Sequence, residues 1–285
     1  MIKVAVFGYG NIGRYAEQAV NQASDMNLVG IFHHNEVQNV LAASPDVVLL
    51  SVPSREVPNV APVFLQAGIS TVDSFDIHSS IPTVHEQLGT SATAAVSVLS
   101  AGWDPGSDSV IRSLLLAMAP GGVTYTNFGP GRSMGHTVVA KSKPGVKDAL
   151  SMTIPVGNGI HRREVYVVLE KSALLSDVET VIKTDPYFVN DDTQVIEVAS
   201  LEDLNTIQHG VLIERDGVSG VTKDQQMEFK MTINNPALTG QIMVSCARAA
   251  YRLAKKKQFG CYTMIEIPPV LLLPGNPEEN IERLV

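Results

Sequence analysis

Six consecutive residues, Gly8-Tyr9-Gly10-Asn11-Ile12-Gly13, carry the most legible chemistry in this sequence. They have the form G-x-G-x-x-G, they follow the apolar run KVAVF (3–7), and they open residues 12–24, whose apolar positions recur at helical spacing. In that setting Gly8 permits a tight turn, Gly10 lets the backbone approach a pyrophosphate, and Gly13 lets the helix sit close on the strand. The free N–H groups of the helix start then face the phosphates. A plain strand-to-helix turn is the other way to read the same residues. Cofactor choice belongs at the end of the second strand, where an acidic side chain holds a ribose 2′-hydroxyl. Ile31-Phe32-His33-His34-Asn35 stands there, without a carboxylate or an arginine. That favours NADP, with a 2′-phosphate resting on His33, His34, Asn35 and backbone groups, and leaves NAD as a weaker substitute. The alternative is that both histidines are simply exposed polar residues. Asp76 and Asp104 fall just past the ends of the fourth and fifth expected strands, the carboxyl edge at which open α/β sheets bind ligands. Asp is also common in turns and helix caps. His161-Arg162-Arg163 is the main basic cluster outside a helix end, and a guanidinium grips a carboxylate with two parallel hydrogen bonds.

These residues need elements to hold them. Strand runs at 3–7, 28–32, 46–52, 70–75 and 96–101 alternate with helical segments near 12–24, 36–43, 55–68 and 81–93. Short buried strands separated by helices imply right-handed crossovers and a Rossmann-type, doubly wound parallel sheet. The rhythm changes after GWDPG (102–106) and a helix at 107–118, which Pro120-Gly121-Gly122 breaks. Runs at 124–128, 163–170, 193–200, 209–217 and 226–234 then alternate on a period of two. They predict an α+β domain whose mainly antiparallel sheet is covered by a helix near 174–184. A long helix over 237–256 ends in Lys255-Lys256-Lys257, where positive charge suits a helix C-terminus. The domains expected are 1–118, with 245–285 returning to it, and 119–244.

Composition bounds the rest. The chain has 285 residues and a formal net charge of −8, which argues against binding nucleic-acid phosphates or an anionic membrane surface. No apolar stretch approaches the roughly 20 residues that span a bilayer, and the start lacks the pattern of a secretion signal. Cys246 and Cys261 are too few for a disulfide scaffold or a thiolate zinc site. No cluster has metal-ligand spacing, so no metal is expected, and the compartment expected is the cytoplasm.

Several segments resemble meso-diaminopimelate dehydrogenases across essentially the whole chain. They are GYGNIGR (8–14), VDSFDIH (72–78), SAGWDPG (100–106), FGPGRSMGH (128–136), PGVKDALSMTIP (144–155), HRR (161–163), TDPYF (184–188), HG (209–210), NNPALT (234–239) and YTMIEIPP (262–269). The resemblance implies NADP-dependent, reversible oxidative deamination at the D-centre of meso-2,6-diaminopimelate, giving L-2-amino-6-oxopimelate and ammonia. It makes 119–244 the substrate-binding and dimerisation domain of a homodimer. By the resemblance, Asp76 and Asp104 hold the D-amino group, Trp103 and Phe128 form pocket walls, and Met134-Gly135 offer backbone donors to the D-carboxylate. Arg163, Thr153, His209 and Asn235 match the positions that contact the distal L-centre. Arg162 is expected to face the other side of its strand. Two departures are visible. Met134 replaces the Gln of many relatives, and only Val156-Gly157-Asn158-Gly159-Ile160 separates Pro155 from His161, where many relatives carry a longer insert. Both make a more open pocket plausible, so a broad D-amino acid dehydrogenase is the competing enzyme reading. A dinucleotide-binding sensor without turnover is the competing reading outside enzymes.

Overall fold

Strands made of consecutive branched apolar residues can be satisfied only where both sheet faces are covered. The computed structural model, which describes residues 1–204 and 209–285, arranges them so. β1 (Ile2–Phe7), β2 (Met26–Phe32), β3 (Val47–Leu50), β4 (Ser70–Asp73) and β5 (Val96–Val98) join a last short strand, Gly260–Tyr262, in a six-stranded sheet. Every pairing in it is parallel, and β1 lies between β2 and β3. All four residues of β3 are wholly buried because their side chains enter cores on alternate faces. One core packs α1 (Asn11–Gln22) and the long helix Asn235–Lys255 on the sheet. The other packs α2 (Val37–Ala43), α3 (Val57–Gln66) and α4 (Ile81–Ser91) on the opposite face.

The chain divides into two compact units, Met1–Ser113 with Asn235–Val285, and Leu114–Asn234. In the first, the C-terminal segment is strapped down by two arginines of the long helix. Buried Arg248 holds both oxygens of Asp25, at 2.5 and 2.8 Å, and the Leu272 carbonyl at 2.9 Å. Arg252 donates to the carbonyls of Leu271, Leu273 and Gly275. Among the described residues no helix is long and apolar enough to cross a membrane.

α5 (Ser107–Met118) leads into the second unit, where the sequence pattern predicts one sheet and the structure has two. β6 (Gly121–Phe128), β11 (His209–Ser219) and β12 (Thr222–Ile233) form an antiparallel sheet of three strands. β7 (Gly131–Arg132), β8 (Val146–Gly157), β9 (Ile160–Leu169) and β10 (Asp192–Glu197) form another of four, in which β10 runs parallel to β9. α6 (Met134–Lys141) and α7 (Leu175–Lys183) cover that sheet through Ala140, Val178 and Ile182. The short link at 156–160 is a two-residue hairpin. Asn158 and Gly159 both take positive φ, 53° and 75°, the geometry that Asn-Gly supplies between tightly paired strands.

Candidate active site

The switch point of the parallel sheet lies between β1 and β3, and the glycine motif follows the carboxyl end of β1 there. Gly8 has φ +94°, and a Cβ there would overlap the Ser51 carbonyl just past β3. A Cβ on Gly13 would overlap the Gly8 carbonyl. A Cβ on Gly10 would meet nothing within 4 Å, so the backbone is bare on the side from which a diphosphate approaches. The first-turn N–H groups of α1 open there without a side-chain cap. The Ser51 hydroxyl, beside the same turn, is buried with no hydrogen-bond partner. This cradle fits a dinucleotide diphosphate. Tyr9 donates to Glu17 at 2.5 Å, and the Arg14 guanidinium lies 5.8 Å from the ring centre. His33 and His34 are exposed after β2. Glu36, which the sequence reading passed over, turns back to accept the His33 N–H at 2.7 Å and lies below the usual carboxylate range because of that bond.

Asp76 and Asp104 follow β4 and β5, neighbouring strands of this sheet. Asp76 is exposed, and its Oδ1 accepts the Ser54 hydroxyl at 2.6 Å. Asp104 is presented by the Gly102–Gly106 turn, which closes on itself. Gly102 N–H donates to the Pro105 carbonyl at 3.1 Å, and only glycine fits at position 106, where φ is +145° and a Cβ would overlap the Gly102 carbonyl. Trp103 is 6% exposed, with its carbonyl accepting the Asp108 N–H at 3.0 Å. Beneath the turn lies Asp73, wholly buried, whose Oδ1 accepts the N–H groups of Phe75 and Ser100 at 3.0 and 3.1 Å. Burial pushes its carboxyl up to about 6 against those two bonds. Arg112 closes the arrangement: its fork donates to Asp104 at 2.9 Å and to Asp108 at 3.0 Å.

The second unit holds a separate polar cluster. The antiparallel register sets Thr153 of β8 directly opposite Arg163 of β9, and their side chains are hydrogen-bonded. Asp191, just before β10, takes the Arg163 Nε at 2.6 Å. His136 of α6 completes the set. Its Nδ1 meets Ser133 at 2.9 Å, and its Nε2 meets the Tyr187 carbonyl at 2.8 Å and Asp191 at 3.4 Å. Burial first, then the Arg163 charge, hold His136 below the usual histidine range. His161 is lowered by the same two causes, in keeping with its Nε2 accepting the Phe128 N–H at 2.8 Å. The turn after Phe128 sits against β8: Gly129 has φ +99°, and a Cβ there would overlap the Thr153 carbonyl. Met134 and Gly135 are the first two residues of α6, whose first-turn N–H groups have no helical acceptor. His209 opens β11 with Nδ1 3.1 Å from the Gly210 carbonyl. Arg162 is half exposed and paired with Glu164 at 2.9 Å. Asn235 belongs to the first unit, where its Oδ1 accepts the Thr239 hydroxyl at 3.1 Å in the opening turn of the long helix.

Sequence reasoning therefore named Thr153 and Arg163, which the structure joins, and missed Asp108, Arg112, His136 and Asp191. A signal existed for two of them: Asp108 and Arg112 are four apart on a helix, and Asp104 stands four residues before Asp108 in the turn that leads into it. Asp191 carried none, because only the alignment of β10 beside β9 brings it to Arg163.

A doubly wound sheet with a glycine cradle at its switch point and carboxylates on the same edge defines a Rossmann-type dehydrogenase served by a nicotinamide dinucleotide. Comparison with known proteins narrows the class. Residues 102–235 match the diaminopimelic acid dehydrogenase C-terminal domain. A meso-diaminopimelate D-dehydrogenase of Bacteroides fragilis is 49% identical over 100% of this chain and 99% of its own length, and one of Lysinibacillus sphaericus is 34% identical over 100% and 99%. The solved structure of Corynebacterium glutamicum DAP dehydrogenase in complex with DAP superposes with a TM-score of 0.90 at 30% identity, covering 100% of this chain and 99% of that one. An engineered D-amino acid dehydrogenase bound to NADP+ superposes with a TM-score of 0.86 at 29% identity, again over 100% and 99%. The chain belongs to the meso-diaminopimelate D-dehydrogenase family.

Proposed function

We propose that this protein is an NADP-dependent dehydrogenase that oxidatively deaminates the D-centre of meso-2,6-diaminopimelate to L-2-amino-6-oxopimelate and ammonia, and runs the reverse reductive amination. The observation that carries this reading is the pair of carboxylates, Asp76 and Asp104, after adjacent strands on the sheet edge that also bears the glycine cradle. Full-length identity of 49% to a relative of that name supports it. Asp76 and Asp104 grip the D-ammonium as acceptor-only groups and turn its Cα–H toward the cofactor. Trp103 and Phe128 wall the pocket, and the Met134 and Gly135 N–H groups take the D-carboxylate. Arg163, with Thr153, His209 and Asn235, takes the distal amino acid group. Gly8 to Gly13 hold the diphosphate, with His33 and His34 at the 2′-phosphate. Hydride leaves only from the neutral amine, so one carboxylate of the pair, or a water it holds, first accepts the ammonium proton. A nicotinamide dinucleotide held by Gly8 to Gly13 would supply the acceptor for the hydride that Cα gives up. Water then adds to the resulting imine carbon, ammonia departs, and the carbonyl remains. The enzyme works as a closed two-fold homodimer in the cytoplasm, where Cys246 and Cys261, buried and raised in pKa by burial, stay as thiols.

The test is steady-state reduction of NADP and of NAD with meso-diaminopimelate and with D-alanine and D-phenylalanine. Highest kcat/KM with meso-diaminopimelate and NADP is expected. Higher efficiency on the simple D-amino acids overturns the substrate in favour of a broad D-amino acid dehydrogenase, and no reduction with any amine overturns the enzyme.

A further inference from the structure

Asp104, Asp108 and Arg112 form a cluster whose charges do not balance as drawn. Asp108 sits in the first turn of α5, and its side chain has no exposure to solvent. Arg112, one turn along, donates one nitrogen to Asp108 Oδ2 at 3.0 Å and the other to Asp104 Oδ1 at 2.9 Å. That leaves Asp108 Oδ1 buried with no hydrogen-bond donor reaching it. A bare carboxylate oxygen in such a place carries its full desolvation cost, and one guanidinium cannot neutralise two carboxylates. A proton on Asp108 resolves both: the acid then has an O–H to give, and Asp104 is the acceptor beside it.

We propose that Asp108 is a positioning residue for the reacting end of the substrate: it stands as a neutral acid that donates its O–H to Asp104, so that the two carboxyl groups share one negative charge. This rests on the reading that Asp104 receives the substrate ammonium. The O–H of Asp108 and the fork of Arg112 fix the plane of the Asp104 carboxylate, and the neutrality of Asp108 keeps the negative charge on the group that faces the amine. An ionised Asp108 would set a second buried negative charge against Asp104, and their repulsion keeps the proton on Asp108. The charged groups acting on Asp108 are Asp104, from the preceding loop, and Arg112, on its own helix. Burial and then the Asp104 charge push the acid up to about 8, against the pull of Arg112.

Two measurements test this. The first uses the free protein with 13C-labelled aspartate carboxyls, the Asp108 resonance being assigned by its loss in Asp108→Asn. Asp108 is expected to be protonated at neutral pH and to titrate near 8. Titration with ordinary aspartates, near about 4, overturns the proposal whatever the substrate proves to be. The second compares kcat/KM against pH on meso-diaminopimelate. Asp108→Ala is expected to lower kcat roughly 10- to 100-fold, the scale of one hydrogen bond to a charged group, with the KM for NADP unchanged. Asp108→Asn keeps an N–H donor toward Asp104, so it is expected to stay within about fivefold of the wild type and to lose the bend near pH 8. Equal losses in the two variants, or a bend that survives in Asp108→Asn, overturn it in favour of a packing role. A protonated Asp108 with kcat intact in both variants instead overturns the assignment of Asp104 to the amine.

Discussion

Arg112 in one unit and Arg163 in the other are each held against an aspartate, Asp104 at 2.9 Å and Asp191 at 2.6 Å, and yet the roles inside the two pairs are exchanged. In the first, two carboxylates meet one guanidinium. In the role proposed above, the arginine is the splint and Asp104 is the group offered to a ligand. In the second, Asp191 fixes Nε and Thr153 fixes one terminal nitrogen, so in the proposed role the carboxylate is the splint and the guanidinium is the group offered. In the proposed roles the first pair would take a cation and the second an anion, the two kinds of group that meso-diaminopimelate carries. The surroundings follow suit: Asp73 and Asp108 are pushed toward their neutral acid forms by burial, whereas His136 and His161 are pushed toward neutral imidazole by burial and by Arg163.

The contrast breaks first at the acidic end. Asp104→Asn keeps the shape and removes the charge and the basic site. It is expected to lower kcat on meso-diaminopimelate roughly 100- to 10,000-fold, the range of a lost acid–base group. NADP affinity, measured by fluorescence titration, is expected to hold. Loss of cooperative unfolding in this variant would make Asp104 a fold residue instead. At the basic end, Arg163→Ala is expected to cost about 2–5 kcal/mol in kcat/KM for the dicarboxylate and much less for D-alanine, which has no distal carboxylate. Equal losses on both substrates remove Arg163 from that role.

How much of this could be read from residues alone differs between the two units. Five strands of the parallel sheet were legible because short, largely apolar runs recur between helical repeats, and the glycine motif marks its own place in the turn after β1; the sixth, Gly260–Tyr262, is three residues and gave no such run. The second unit was legible only as alternating runs. β8 (Val146–Gly157) alternates only over Leu150-Ser151-Met152-Thr153-Ile154, between a polar start at Lys147-Asp148 and Pro155, a short stretch that the sequence reading passed over, and β7 is a pair of residues. Without them one sheet was expected where two exist. The same gap hid the basic splint. Thr153 and Arg163 were named, but their partner Asp191 depends on strand register, which sequence spacing does not encode. The acidic cluster was half legible: Asp104 stood out by following a strand, while Asp108 in the first turn of α5 and Arg112 one turn on read as an ordinary helix pair.

The electrostatic contrast sharpens into opposite responses to pH. A carboxyl raised in the fold favours the protonated protein, so the stability it contributes is complete below its unfolded value and is lost as pH rises through its folded value. For Asp73 that window runs from 3.8 to about 6 and is worth on the order of 3 kcal/mol; for Asp108 it extends to about 8. His136 and His161 are lowered from 6.5, so their contribution is present above that value and lost as pH falls below it. Hydrogen-exchange protection factors are expected to fall in β4 on going from about pH 5 to about pH 8, and to fall in β9 on acidification instead. Parallel loss in both strands would erase the distinction.

The smallest expected effect probes the splint itself. If Asp191 matters by aiming the Arg163 fork, Asp191→Ala frees the guanidinium to rotate and raises the KM for meso-diaminopimelate about 3- to 10-fold, near 1 kcal/mol for one hydrogen bond, with kcat unchanged. If Asp191 matters only as a competing negative charge, the same variant strengthens the attraction of Arg163 for a substrate carboxylate, and KM falls. Asp191→Asn separates the terms further, because an amide oxygen still accepts from Nε while the charge is gone. Aim predicts that Asn restores most of the wild-type KM, and charge predicts that Asn and Ala behave alike. Thr153 accepts a second nitrogen of the same guanidinium across the β8–β9 ladder, so residual aim survives the loss of Asp191, and this keeps the expected effect below that of Arg163→Ala.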